Sequence, residues 1–86
     1  MEDRKVSSIK QVNFNGLRYP AVVIHENPSD YPEKYVARVF DIDVPTNIVM
    51  IKDTLTELQH DIREHTNMIF FTRGTEDVET IVGVWM

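Results

Sequence analysis

Only residues 54–65, "TLTELQHDIREH", carry the apolar spacing of a helix, and most other apolar residues alternate as in strands. Leu55, Leu58 and Ile62 fall at i, i+3 and i+7, a narrow stripe that can cover one face of a sheet. The strand candidates are apolar on both faces. Val36, Phe40 and Ile42 alternate with Tyr35, Ala37 and Val39, and Ala21 and Val23 alternate with Val22 and Ile24. One helix must therefore serve a two-sided sheet. The fold class this predicts is α+β: an antiparallel or mixed sheet of about five strands packed by one helix, in the order β-β-β-β-α-(β)-β.

The elements follow from local chemistry. In "QVNFNGLRYP", Asn15-Gly16 is the favoured dipeptide of a type I′ turn, whose central residues both need positive φ. It predicts a hairpin of residues 8–14 and 17–26, with Phe14 facing Leu17 and Val12 facing Tyr19. "ENPSDYPEK" is loop chemistry, "KYVARVFDID" a strand, "DVPTN" a turn and "IVMIK" a short strand. Thr54-Leu55-Thr56-Glu57 is a capping box: the Thr54 hydroxyl accepts from the N–H of Glu57, and the Glu57 carboxylate reaches back to the N–H of Thr54. Asp53 and Glu57 also set negative charge at the positive end of the helix dipole. His60 with Glu64 and Asp61 with His65 are i,i+4 neighbours on the wet side. Asn67, tolerant of a left-handed conformation, is expected to help end the helix near Thr66-Asn67. "MIFF", residues 68–71, fits either a short strand or a buried connection, and "TRGTEDVE" reads as a loop. "TIVGVWM" reads as the last strand, with Ile81 and Trp85 on one face and Val82 and Val84 on the other. Gly83 inside it marks a bulge or a close approach.

A chain of 86 residues is expected to form a single domain, residues 1–86, with residues 1–7 a frayed tail. The absence of cysteine excludes disulfides and thiolate metal sites and fits a reducing, cytoplasmic setting. No apolar run approaches the length of a membrane span, and "MEDRKVSSIK" lacks the apolar core of a secretory signal. The net charge is -5, and only Arg4, Lys5 and Lys10 cluster, as a solvated tail would carry them. That balance argues against a nucleic-acid partner.

"KYVARVFDIDVP", followed closely by "KDTLTELQHDI", resembles the HicB-like antitoxin domain over residues 17–62. In that family a strand ends in an Asp-x-Pro-Gly turn, a short strand follows, and a Gly-Asp-Thr type cap opens a helix. Asp43-Val44-Pro45 matches the turn, and Asp53-Thr54 with Glu57 matches the cap. Thr46 stands where the family has Gly, and the spacing from turn to cap is longer than the family pattern by about one residue. The resemblance implies a three-stranded antiparallel sheet, a helix and a further strand, like a ribonuclease H core cut down and without its active site. Full-length antitoxins of the family carry a DNA-binding domain after the last strand. This chain ends at Met86, so that activity is not carried over.

Candidate chemistry reduces to few residues. His60 and His65 are five apart, which turns them about 140° from each other on a helix, whereas a two-His metal site needs one face. Both read as solvent-facing, and His25, beside Glu26 at a strand end, reads as an edge residue. Asp41 and Asp43 alternate along one strand face and could hold a metal in a nuclease, with Asp61 or Asp53 as a third acid. Such a site also needs a basic surface for its substrate, and turn and edge roles explain both residues. Ser7, Ser8 and Ser29 sit in no nucleophile motif, and the glycines form no phosphate cradle. Trp85, Phe70 and Phe71 could form a stacking platform for single strands, but core packing explains them in a small acidic domain. No catalytic, cofactor-binding or metal residue is assigned, and no cofactor. The expected function is non-enzymatic binding of a protein: a second copy as homodimer, and a small basic partner in the antitoxin-like version. The alternatives are a silent structural or regulatory subunit and a metal-dependent nuclease with a ribonuclease H-like core.

Overall fold

The β-branched segments of this chain pair into one six-stranded sheet, and the single helical stripe packs on one face of it. The computed structural model describes residues 2–72 and 80–86. The elements are β1 (Arg4–Val6), single 3-10 turns at Ile9–Gln11 and Phe14–Gly16, β2 (Pro20–Glu26), β3 (Tyr35–Asp41), β4 (Val44–Lys52), α1 (Leu55–His65), β5 (Phe70–Thr72) and β6 (Ile81–Trp85). The strand order is β1-β4-β3-β2-β6-β5. β1 runs parallel to β4, and the other pairs are antiparallel, so the sheet is mixed.

Register sorts the apolar residues as their alternation predicts. Met50, Ala37 and Ile24 lie in one row across the sheet, and Val22, Trp85 and Phe70 in the next. These rows face α1, whose Leu58 and Ile62 are fully buried against them. Burying each such side chain is worth about 2–3 kcal/mol. Thr54 caps α1 as its sequence predicts, its hydroxyl accepting from the N–H of Glu57 at 3.2 Å. The other departures at the helix have local causes. Glu57 gives no return bond to Thr54, and Asp53 pairs instead with Lys34. Asp61 does not pair with His65; its carboxylate accepts from the N–H of Ile9 at 2.7 Å and ties the first 3-10 turn to the helix. Thr66, extended at φ -139, ends the helix, its N–H and hydroxyl both donating to the Ile62 carbonyl, and Asn67 is not left-handed.

The N-terminal region departs most from expectation. Residues 4–6 of the expected frayed tail form β1, with Arg4, Lys5 and Val6 opposite Ile48, Val49 and Met50. The Asn15-Gly16 hairpin does not form, and Gly16 keeps an ordinary negative φ. Local side-chain bonds win here. Ser8 and Gln11 make a capping box around the first 3-10 turn, and the Asn13 side chain accepts from the N–H of Asn15. Ile9 and Val12 then join the core beside α1, so the helix does not cover its face alone.

The β3–β4 turn lies at Ile42-Asp43, since Asp41 pairs with Val44, and "DVPTN" belongs largely to a longer β4. The register shifts between Arg38 and Phe40, where Thr46 donates to the Val39 carbonyl across a bulge. Residues 68–71 resolve toward a strand, since Phe70 and Phe71 belong to β5. Gly83 serves both predicted purposes. The β2–β6 register shifts beside it, and a Cβ there would run into the Phe70 ring. Apart from Thr72 in β5, the predicted loop "TRGTEDVE" falls on 73–79, outside the described residues.

The outer face of the sheet is half covered. Val49, Arg38, Val23, Val84 and Phe71 form one row on it. Over its β1–β4–β3 side, Arg38 grips both carboxylate oxygens of Asp3 at 3.0 and 3.1 Å and also donates to the Thr46 carbonyl. Tyr31 donates to the same Asp3 carboxylate at 2.7 Å, and the Lys5 ammonium lies over the Tyr31 ring. Val36 and Val49 are buried on this side without any helix above them.

Candidate functional site

The elements place the candidate carboxylates apart. Asp41 ends β3, and its carboxylate accepts from the N–H groups of Arg18 and Tyr19, both at 3.0 Å. Asp43 lies in the following turn and is exposed, so the two do not share a strand face. Asp53 pairs with Lys34, and Asp61 holds the first 3-10 turn. Among the described residues no three of His, Cys, Asp and Glu cluster as metal ligands. His60 and His65 are both exposed. His25 is not at an edge: it lies in β2 between β3 and β6, paired with Val36 and Ile81, half buried near Arg38 and Asp30. Burial, and then the Arg38 charge, lower its pKa. Trp85 is buried against Phe70 with ring centroids 5.2 Å apart. Its indole N–H donates to Gln59, and Arg63 lies over its ring, so only Phe71 of the three aromatics is exposed.

What the fold does assemble is an apolar groove. The antiparallel order brings the start of β2, the β3–β4 turn, the end of α1 and the end of β6 to one end of the sheet. Between them lies a groove of about 880 Å³. Phe14, Ala21, Met68 and Met86 supply apolar walls, and Tyr19 and Ile42, 70% and 52% exposed, stand at the opening. The acidic and basic side chains on its lining are Arg18, Asp43 and His65. His65 also borders a second cleft along the outer side of α1, where Glu57, Asp61 and Glu64 lie together with Lys52 and His60. An apolar surface and a carboxylate-rich one thus adjoin.

The opening is held in a strained shape. Ile42 has φ 61, in the left-handed region, which is an outlier for a β-branched residue. A positive φ at the first central residue of a two-residue hairpin loop is the pattern of a type II′ turn, which takes Gly there. The Asp41 carboxylate fixes residues 18–19 from below, and the Ile42 N–H donates to the Tyr19 carbonyl at 2.9 Å. The result presents Tyr19 and Ile42 together to solvent. Neither residue is marked by the sequence, because the groove is made by strand ends far apart in the chain.

No family model, curated protein or solved structure matches this chain. No helix among the described residues is long and apolar enough to cross a membrane.

Proposed function

We propose that this protein is a small, cytoplasmic, non-enzymatic binding module that works as a homodimer and captures a basic protein partner in its end groove. The observation that carries the reading is the apolar groove bordered by the acidic face of α1. A basic amphipathic segment matches both, with apolar side chains against Phe14, Ala21 and Met68 and its lysines or arginines toward Glu57 and Glu64. The net charge of -5 favours encounter with such a partner. Exposed apolar clusters on small domains commonly mark interaction sites.

An antitoxin-like role is the most specific form of this proposal. It is supported by the run β2, β3, β4, α1 and a later strand, which is the element order the HicB-like resemblance implies. The turn lies two residues earlier than the resemblance places it, and β1 and β5 are elements it does not account for. Calorimetric titration with a synthetic amphipathic Leu/Lys helix tests the reading. Saturable binding that weakens with salt is expected, with a Leu/Glu helix of the same pattern inert. Equal binding of both peptides, or of neither, contradicts it.

A further inference from the structure

We infer that a second copy of this chain docks on the outer edge of β5, joining two sheets into one across a two-fold axis at Phe70. The inference rests on the reading of the protein as a homodimer and names its interface. Among the described residues β5 is one of two sheet edges, and the strand's own sequence lacks the usual protection. The other edge, β1, carries Arg4 and Lys5, with Lys5 drawn over Tyr31. Residues 66–72, "TNMIFFT", hold no ionisable side chain. Two copies of a chain with net charge -5 repel one another, and residues 66–72 themselves add no charge to that repulsion.

The hydrogen-bond phase is also self-complementary. Ile69 spends both its N–H and its carbonyl on Met86, at 2.9 and 3.0 Å. Alternation in an antiparallel ladder then aims the N–H and carbonyl of Phe70 away from β6. A two-fold axis at Phe70 lets these groups pair with the same groups of the second copy, as an isologous contact requires. That register sets Ile69 opposite Phe71 of the other copy, as a non-hydrogen-bonded pair whose side chains approach closely. Ile69 and Phe71 share the outer face of the sheet and are 64% and 52% exposed. They extend the half of that face that the Tyr31 loop leaves open, where Val23 and Val84 are half buried.

Sedimentation equilibrium on the whole chain tests this, with the variants Phe71→Lys and Ile69→Lys. The native chain is expected at twice 10.1 kDa. Either lysine faces an apolar partner, and dimer affinity is expected to fall about tenfold or more. Both positions are exposed, so the circular dichroism spectrum should be retained, and Leu/Lys peptide binding at the groove should be unchanged. Two variants guard against one failing to fold. A native mass of 10.1 kDa at all concentrations overturns the pairing while leaving groove binding to its own test. Folded lysine variants that remain dimers overturn the β5 edge as the interface.

Discussion

Ile42 holds a conformation that its own side chain disfavours. A β-branched residue at φ 61 costs roughly 1–3 kcal/mol. The turn would be met more cheaply by Gly or Asn, and what Ile adds is an apolar side chain at the groove opening. Ile42→Asn is therefore expected to raise the urea midpoint by the equivalent of about 1 kcal/mol. The same change should weaken Leu/Lys peptide binding by about tenfold. A variant that is no more stable would remove the argument from strain. The glycines give a second contrast at this scale. Gly16 has open space around its Cβ position, whereas a Cβ at Gly83 meets the Phe70 ring and the Phe71 carbonyl. Gly16→Ala should leave the midpoint within about 0.5 kcal/mol, and Gly83→Ala should lower it by about 2 kcal/mol or more. Equal effects at both sites would contradict the close approach of β5 to β6.

At the scale of elements, the helix, β3 and the faces of β2 were legible in the sequence because local rules and tertiary packing agree there. Thr54 caps α1, Leu58 and Ile62 face the core, and Val22 and Ile24 point toward them. The N-terminal hairpin misled because Asn15-Gly16 satisfies turn chemistry in isolation, while Ser8 with Gln11 and Asn13 with Asn15 satisfy it differently. β1 could not be read, since two charged residues and one valine pair only because β4 offers a free side.

The strap over the outer face has a pH signature. Hydrogen bonds from Arg38 and then Tyr31 hold the Asp3 carboxyl below its ordinary value of 3.8. A depressed carboxylate adds stability that is present above about pH 4 and lost as pH falls through the folded value. His25 acts in a different window. Its pKa is lowered from 6.5, so the unfolded chain takes up the proton first and stability drops as pH falls below about 6.5. Urea midpoints measured against pH should show both declines. Asp3→Asn should flatten only the acid limb, and His25→Gln only the limb below neutrality. Unchanged profiles in both variants would contradict these assignments.

For the whole molecule, the mixed sheet resolves the problem of two apolar faces by dividing it. The helix and the Ile9 and Val12 segment cover one face. Asp3, Arg38 and Tyr31 close over half of the other, and the remainder meets solvent beside β5 and the groove. The site itself was not legible, because its walls come from strand ends brought together only by topology. The candidate acids that the sequence offered are separated by the same topology, each with a structural partner or in solvent. The proposed role then depends on where a ligand settles. The most direct measurement is a heteronuclear NMR titration of the isotope-labelled protein with the Leu/Lys helix. The expected result is saturable shifts concentrated at Tyr19, Ile42, Met68 and Met86, and along α1 at Glu57 and Glu64. Shifts centred on the β1 edge, or spread evenly without saturation, would contradict the groove as the binding site.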